Sequence, residues 1–309
     1  MTTSTVNQSS NNLELLKAKA DEAFKQKQWP QALDAWQLLL DTFPAHYPAH
    51  VGQAKTLVEL DRYTEAEAIF TRLAQDYPKH VQGFHGLAQL AIRTQQWNLA
   101  LERCGTLIQK FPNHFQGYAW QGKALVELGR FDEAEAVFNY LTEYYPKRLQ
   151  GFHGLAQCAF RNQQWSVLLN RCQKLLEKFP KHLQSEIWRG DAFCRLGYLN
   201  EAVEAYQKAL NLKPSHSLLY QKLSEAQIQI GNLRAAQQTL ESSISKNPSD
   251  AQSYTGYARF QKEWLKDFAG AYSTLQEAKR ANSDFLPALV EEANLFLQLG
   301  RHQKAVESF

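Results

Sequence analysis

Proline recurs at a constant interval through most of this 309-residue chain. Successive members of the series are 34 residues apart: Pro44, Pro78, Pro112, Pro146, Pro180, Pro214 and Pro248. A fixed period of this size is typical of architectures in which one supersecondary unit stacks on the next, because each unit is too small to bury its apolar face alone. The sequence therefore predicts a linear array of repeats.

When the first repeat is placed at residues 13–46 and the repeats are aligned, two more positions show the same kind of residue in nearly every repeat. We refer to each set of equivalent positions as a column. Both consist almost entirely of small residues: Ala20, Ala54, Ala88, Gly122, Ala156, Gly190, Ser224 and Ala258 at the eighth place, and Ala32, Ala66, Ala100, Ala134, Leu168, Ala202 and Ala236 at the twentieth. Apolar places around the eighth follow the period of one helix, and those around the twentieth follow that of a second. Each repeat thus predicts two helices that cross closely at their small residues, with a large residue at place twenty-four, such as Phe138, between neighbouring pairs.

The ends of both helices are also marked. Glycine stands at place fifteen in four repeats, as Gly129, Gly197, Gly231 and Gly300, and a helix commonly ends in a left-handed residue of this kind. The recurring proline cannot continue a helix, so it is expected to end the second one.

Together these columns resemble the tetratricopeptide repeat, a helix-turn-helix unit with the same period. The residues that carry the resemblance include Gly122, Phe131, Ala134, Phe138 and Pro146, and it extends over residues 13–309. The resemblance implies an all-α fold, a right-handed α-solenoid or superhelix of tandem repeats. The repeats are expected to start near residues 13, 47, 81, 115, 149, 183, 217, 251 and 286, after a disordered tail at residues 1–12.

Two departures from the pattern are expected to have structural consequences. The eighth repeat is one residue too long, because its aromatic Phe268 and its small Ala271 come one place late, which predicts a distorted turn near Lys266. The ninth repeat stops at Phe309 and leaves a large apolar residue at its end. Since terminal repeats normally carry a polar face, Phe309 is expected to meet either further chain, the favoured alternative, or another subunit.

The segment QGFHGLAQ occurs at residues 82–89 and again, unchanged, at residues 150–157. The third and fifth repeats, which contain this cassette, agree at 21 of 34 positions, and the second and fourth agree at 16. The inherited unit is therefore interpreted as a pair of repeats that was duplicated once. Most of the shared residues are framework, but polar residues on the cassette helix are interpreted as functional.

In the fold that the resemblance implies, the first helix of each repeat lines a concave groove. The side chains that face the groove stand at places two, five, nine, twelve and thirteen of the repeat. Evenly spaced glutamine amides there can both donate to and accept from the backbone of an extended peptide. The alternating charges at place thirteen are equally well explained as exposed pairs between neighbouring repeats. The predicted groove residues are Gln82, His85, Gln89, Arg93, Gln116, Lys123, Gln150, His153, Gln157, Arg161, Gln184 and Arg195.

The two cassettes are interpreted as equivalent contact stations for one extended chain, about 20 Å apart at the usual spacing of packed helices. Imidazole at both stations, from His85 and His153, would make binding sensitive to pH between about 5 and 8. The alternative is that the cassette is a relic of recent duplication.

No enzyme chemistry can be assembled from the sequence. The segment GYAWQGKA at residues 117–124 nearly fits a phosphate-binding loop, but it lies within a predicted helix, and Ala124 stands where a hydroxyl is required. His46 and His50 flank Pro48, which argues against a metal pair, and no nucleophile with a base and an orienting acid is present. No cofactor, metal site or catalytic residue is predicted.

Composition and charge argue against other classes of protein. A net charge of +3 provides no strong field for nucleic acid or an anionic membrane, and no apolar run is long enough for membrane insertion. The first residues lack the basic and apolar regions of a signal peptide. The four cysteines, Cys104, Cys158, Cys172 and Cys194, match no disulfide or zinc pattern, so a cytoplasmic protein with reduced, mostly buried thiols is expected.

Two functions are consistent with these observations. The first is a protein-protein interaction scaffold that binds an extended peptide or protein segment in the groove. The second is a non-catalytic tetratricopeptide region of a larger bacterial glycosyltransferase or sulfotransferase, since the segment LGRFDEAEAVF at residues 128–138 is similar to repeats that precede such carbohydrate-modifying domains. The carboxylate clamp, with which members of the family bind the acidic tail of a chaperone, is not matched.

Overall fold

Every regular element of this protein is a helix. The computed structural model describes residues 2–308, and this part of the chain contains eighteen α-helices and no strand. The α-helices are α1 Thr2–Lys25, α2 Trp29–Thr42, α3 Tyr47–Glu59, α4 Tyr63–Asp76, α5 Val81–Arg93, α6 Trp97–Lys110, α7 Phe115–Glu127, α8 Phe131–Tyr144, α9 Leu149–Arg161, α10 Trp165–Lys178, α11 Leu183–Leu196, α12 Leu199–Leu212, α13 Ser217–Gln229, α14 Leu233–Lys246, α15 Ala251–Phe260, α16 Phe268–Ala281, α17 Leu286–Gln298 and α18 His302–Glu307. They follow one another as helix pairs, so the predicted all-α solenoid class is confirmed.

The helix ends follow the sequence period. α3, α7 and α17 begin at the residues where the period places repeat starts. The second helix of a repeat ends two residues before the recurring proline, as α8 does at Tyr144 before Pro146. Tyr145 between them has left the helical conformation, with a φ of −128° and a ψ of 53°, because a proline ring disfavours the helical region for the residue before it.

Every repeat has a left-handed residue at place fifteen, or one place later in the eighth repeat with its extra residue. The four glycines predicted there have φ between 68° and 86°. The other repeats hold a residue with a side chain in the same conformation, with φ of 55° to 58°: Lys27, Asp61, Gln95, Gln163 and Lys266. The geometry of the helix pair therefore imposes the left-handed turn, and glycine marks it in only part of the sequence.

The first helix is longer than the sequence predicts. α1 begins at Thr2, so it includes most of the segment at residues 1–12 that is expected to be a disordered tail. This segment contains neither glycine nor proline, and nothing in its backbone ends a helix that is held further along by Leu16 and Ala20 against α2. The expected tail is thus corrected to the N-terminal part of a helix.

The small columns lie where the helices of a pair cross. All the residues of the eighth and twentieth places are buried, as predicted. Large residues at place twenty-four reach the next repeat, where the Phe70 ring lies against Gly86 and the Phe138 ring against Gly154. A Cβ atom at either glycine would be only 2.3 Å from the facing ring. These are the second glycines of the two cassettes, so this part of the cassette serves packing.

At the next contact between repeats, the sizes of the two facing residues are reversed. Cys104 occupies the large-residue place, and Trp120 stands at the place that corresponds to Gly86. Trp120 packs against the cluster that contains Cys104, and the sequence repeats the two residue types as Cys172 and Trp188. The alternation of phenylalanine facing glycine with cysteine facing tryptophan gives a physical reason for an inherited unit of two repeats.

The extra residue of the eighth repeat is accommodated by a π-helical turn at Gln261–Leu265, directly after α15. Lys266 follows with a φ of 56°, so the predicted distortion near this residue is confirmed. Phe309 lies outside the described residues, and the expectation about its contact stays a prediction.

The contacts divide the chain into two compact units, Met1–Cys158 and Ala159–Phe309. The boundary falls inside α9, just after the second cassette at residues 150–157. Both cassettes therefore belong to the first unit.

Candidate functional site

The first helices of unit 1 form a continuous row. α1 contacts α3, α3 contacts α5, and α5 contacts α7. We refer to the surface carried by places two, five, nine, twelve and thirteen of first helices as the first-helix face. In unit 1 it includes three predicted glutamines on neighbouring helices, Gln82 and Gln89 of α5 and Gln116 of α7.

The predicted glutamine amides of unit 1 are free of internal bonding, unlike Gln221 and Gln252 of unit 2, which bond to each other at 2.9 Å. Gln82, Gln89 and Gln116 are partly exposed, and their side chains make no hydrogen bond with another described residue. The same holds for Gln150 and Gln157 of the second cassette, of which Gln150 is exposed and Gln157 half-buried. Such amides can donate to and accept from a chain that lies across them.

His85 is held by its neighbours instead of projecting from the face. Its Nδ1 lies 3.3 Å from Nε2 of His114, and its ring centroid lies 4.8 Å from that of Trp120. His114 in turn begins α7, where its Nδ1 accepts the backbone N–H of Gly117 at 3.3 Å. A neutral His114 therefore carries its proton on Nε2 and donates it to His85, which fixes the tautomers of both rings.

These contacts oppose protonation of His85. Burial lowers its pKa to about 4, and the neighbouring His114 and Lys55 act in the same direction. Burial also lowers the pKa of His114. The titration of His85 therefore lies below the window of pH 5 to 8 in which the sequence predicts binding to change. His153, the corresponding residue of the second cassette, is half-buried on α9.

The charged residues of the face in unit 1 pair with neighbouring repeats. Arg93 donates to Glu59 at 3.0 Å across α5 and α3, and its guanidinium lies over the Tyr63 ring. The ammonium of Lys123 lies 5.9 Å from the centre of the Trp97 ring. For Arg93 the contacts favour a bridge between repeats, the alternative that the sequence leaves open for the charges at place thirteen.

A cavity of about 440 Å³ opens beside α11 and α13 in unit 2. Asp191 and Glu225 both line it, and Asp191 accepts hydrogen bonds from Lys222 at 2.6 Å and from the Tyr206 hydroxyl at 2.7 Å. Burial and this hydrogen bond raise the pKa of Tyr206 far above its usual value. Of the predicted residues in unit 2, Arg195 lines the cavity and lies over the Trp165 ring.

The remaining two predicted residues of unit 2 do not line this cavity. Gln184 is half-buried near the start of α11, and Arg161 is exposed at the end of α9. The predicted residues are therefore spread over both units rather than gathered in one pocket.

A second cavity of about 320 Å³ lies between α13 and α15 with its π turn. Glu225, Glu263 and Trp264 line it, together with the apolar side chains of Ile228 and Phe260. None of the residues predicted from the sequence lies here. The signal that could have located it is the extra residue of the eighth repeat, because π-helical turns are frequent at functional sites.

Three of the five histidines that stand two residues after the recurring proline act at helix starts. His46, His114 and His182 each accept a backbone N–H through Nδ1, at 3.2 to 3.3 Å. His80 and His216 make no such side-chain bond.

The other features singled out in the sequence are also located. The segment at residues 117–124 lies inside α7, so its glycines form no phosphate-binding loop. Cys104, Cys158 and Cys172 are buried as expected, and burial raises the pKa of the Cys104 thiol to about 12. Among the described residues no group of three or more potential ligands is placed to hold a metal ion. No helix in this part of the chain has the length and apolarity needed to cross a membrane.

The pattern of helix pairs agrees with models of a known family. One model described as tetratricopeptide repeat matches residues 17–81, 85–148 and 121–167, and a second model with the same description matches residues 195–260. Together they cover more than half of the chain. The chain belongs to the tetratricopeptide-repeat family.

Solved structures share this fold at low sequence identity. A tetratricopeptide repeat protein from Parabacteroides merdae ATCC 43184 is 14% identical, with a TM-score of 0.51 over 90% of this chain and 96% of that chain. A chain of the APC/C hetero-tetramer Cut9–Hcn1 is 15% identical, with a TM-score of 0.51 over 98% of this chain and 57% of that chain. No curated protein sequence matches the chain. These likenesses show the tetratricopeptide fold and nothing finer.

The lowered pKa of His85 makes the tetratricopeptide array sensitive to acid. The unfolded ring binds a proton near pH 6.5, whereas the folded ring does so only near pH 4. As pH falls through this window the unfolded state gains protons first, so the free energy of unfolding should drop by at most about 3 kcal/mol. Urea unfolding at pH 7.5, 6, 5 and 4 measures the slope.

A matched pair of variants isolates this effect. His85→Gln keeps an acceptor for His114 without a titrating group, so its stability should fall less between pH 6.5 and 4 than that of the parent. His302→Gln, at an exposed histidine of α18, should keep the parental slope. Equal slopes for the parent and His85→Gln would contradict the assignment.

Proposed function

We propose that this protein is an interaction scaffold that binds an extended segment of a partner protein along the first-helix face. The observation that carries the proposal is the row of glutamine amides without internal bonds, from Gln82 and Gln89 of α5 to Gln116 of α7. Repeat solenoids of this family use extended surfaces for binding, and the family makes a protein-interaction scaffold the expected class.

The chemistry of the row favours an extended backbone as the ligand. A chain in extended conformation presents N–H and C=O groups that both need partners once water is displaced. A glutamine amide provides a donor and an acceptor on one side chain. Contacts of this kind hold the backbone and tolerate many side chains, so the row supplies affinity and not sequence preference.

His85 and Arg93 have a different role in the proposal. His85 is packed between His114 and Trp120, and Arg93 is bonded to Glu59. Replacing them would disturb the packing of neighbouring repeats as well as any ligand. We therefore assign His85 to positioning of α5 against α7, and Arg93 to positioning of α5 against α3. Both are excluded from the test of binding.

The test uses an array of random twelve-residue peptides probed with the full chain, followed by fluorescence anisotropy on the peptides that bind. The triple variant Gln82→Ala, Gln89→Ala, Gln116→Ala should weaken their binding at least tenfold. Each hydrogen bond contributes about 0.5–1.5 kcal/mol net, so the loss of three corresponds to about tenfold or more.

A control variant with the same number of glutamines changed is available on the second helices. Gln75 of α4, Gln109 of α6 and Gln207 of α12 are exposed and make no side-chain hydrogen bond with another described residue. Changing these three to alanine should leave both binding and melting temperature unchanged. Binding of no peptide at all, or equal affinities in the two triple variants, would refute the proposal.

A further inference from the structure

The π-helical turn places two side chains at a cavity on the first-helix face of unit 2. The turn Gln261–Leu265 takes up the extra residue of the eighth repeat, and it brings Glu263 and Trp264 to the wall of the cavity of about 320 Å³. Trp264 is 48% exposed. An exposed tryptophan is unusual on a surface that is otherwise polar, and at the mouth of a cavity it offers a ring face to a ligand.

Neither carboxylate of this cavity has a cation within hydrogen-bond distance among the described residues. Glu225 of α13 makes no hydrogen bond or ion pair with another described residue, and Glu263 is approached only by Lys262, at 4.0 Å. The ammonium of Lys262 is instead bonded to Glu291 at 2.7 Å. Arg259, the one cation among the lining residues described, also donates to Glu291, at 2.7 Å.

The resulting surface combines negative charge, an aromatic face and an apolar wall. Arg259 and Lys262 bond to Glu291, and Lys222, which lies three residues before Glu225 on α13, bonds to Asp191 at 2.6 Å. Glu225 and Glu263 therefore remain as acceptors for a ligand. Ile228 and Phe260 provide the apolar part of the lining. A ligand that fits must therefore carry a positive charge at the end of an apolar stem.

We propose that this cavity binds a lysine or arginine side chain of the partner segment, with Glu225 and Glu263 as acceptors and Trp264 as the aromatic face. Charge-assisted hydrogen bonds from an ammonium or guanidinium to a carboxylate are stronger than neutral ones, and a cation over a tryptophan ring gains further attraction. The methylene groups of the side chain lie along the apolar wall. This inference rests on the proposed function and adds a side-chain preference to it.

The first measurement does not require a peptide ligand. The chain contains seven tryptophans, whose indole N–H signals are separately visible by nuclear magnetic resonance, and the variant Trp264→Phe identifies the signal of Trp264. Titration with N-acetyl-arginine amide or N-acetyl-lysine amide should shift this signal in a saturable way. N-acetyl-glutamine amide, which is neutral, should not shift it.

Variants then assign the binding to the carboxylates. The double variant Glu225→Gln, Glu263→Gln should bind the two basic probes at least tenfold more weakly at low ionic strength. Added salt should also weaken the binding of both probes to the parent protein. The matched control is Glu201→Gln, Glu204→Gln, which removes the same charge from exposed positions of α12 and should leave the titration unchanged.

The same variants applied to array peptides separate this inference from the proposed function. Among peptides that bind, those with a lysine or arginine should bind the double variant Glu225→Gln, Glu263→Gln at least tenfold more weakly than the parent. Peptides in which norleucine replaces that lysine or arginine should bind the double variant and the parent equally. Peptides that bind without preferring a basic residue, and without sensitivity to the cavity variant, would overturn this inference while leaving the scaffold intact. If no peptide binds, the scaffold proposal fails, and an unshifted Trp264 signal would overturn the cavity assignment independently.

Discussion

Replacing Gly86 with tryptophan should destabilise the protein by more than about 3 kcal/mol, and combining this change with Phe70→Cys should cost clearly less than the sum of the two single changes. The Phe70 ring already occupies the space above Gly86, where even a Cβ atom would lie 2.3 Å from it. Overpacking of a close contact costs about 1–3 kcal/mol for small additions, and an indole is far larger than those.

The reason for this non-additivity is the packing of the neighbouring repeat. There Cys104 and Trp120 occupy the two corresponding places, with Trp120 packed against the cluster of Cys104. Phe70→Cys alone should cost about 3–5 kcal/mol, because it leaves a cavity at a residue that is 1% exposed. In the double variant the indole fills this cavity, so the two changes should show a favourable coupling of about 2 kcal/mol.

Urea unfolding of the two single variants and the double variant measures this coupling. Phe138→Cys combined with Gly86→Trp is the mismatched control, because the new indole then still faces Phe70 and the two losses should add. A double variant at Phe70 and Gly86 that is as unstable as the sum of its single variants would contradict complementarity between the layers.

Much of the repeat geometry could be predicted from the sequence because it depends on local chemistry. A proline cannot continue a helix beyond its first turn, so Pro146 locates the end of α8. Ala134 marks a close helix crossing because any larger residue at a buried crossing would push the helices apart. The structural role of such residues can be predicted from the residue type alone, without knowing which other side chains they contact.

Some of the left-handed turns could not be predicted from residue type. Gly129 could be predicted to adopt positive φ, since glycine pays little for it. Lys27 and Gln95 adopt the same conformation, but only the tertiary packing of the helix pair requires it of them. Nothing in either residue type indicates the turn.

The site could be predicted only in outline. The period predicts Gln82, Gln89 and Gln116 on one face. In the structure their side chains make no hydrogen bond with another described residue, and their role in binding stays a prediction. The role of His85 depends on His114, which lies 29 residues away in the sequence, and no periodicity links the two side chains. The cavity beside Trp264 depends on how the π turn rotates its side chains, which the extra residue signals but does not specify.

The largest electrostatic effect is expected at Glu291, which holds the π turn against α17. Lys262 is 5% exposed and Glu291 is 8% exposed, and the two are hydrogen-bonded at 2.7 Å. Burial alone would raise the pKa of Glu291, but the hydrogen bonds from Lys262 and Arg259 outweigh it and hold the pKa below its usual value. The carboxylate is therefore ionised when it meets the two cations.

Glu291→Ala should destabilise the second unit by about 3–5 kcal/mol, because it leaves the buried ammonium of Lys262 without its main partner. Arg259→Gln should cost much less, since the Arg259 side chain is 45% exposed and water can replace its bond. Because a repeat array can unfold in stages, hydrogen exchange of the full chain is the appropriate measurement, and the loss of protection should concentrate in α15, α16 and α17.

A double variant separates the cost of an uncompensated charge from the loss of packing. Glu291→Leu combined with Lys262→Met removes both charges and keeps most of the side-chain volume. Replacing a buried ion pair by apolar residues is often neutral or stabilising, so this variant should exchange more slowly than Glu291→Ala and close to the parent rate. If it exchanges as fast as Glu291→Ala, the contribution of Glu291 is its shape and not its charge, and the ion pair does not hold the turn that forms the wall of the cavity.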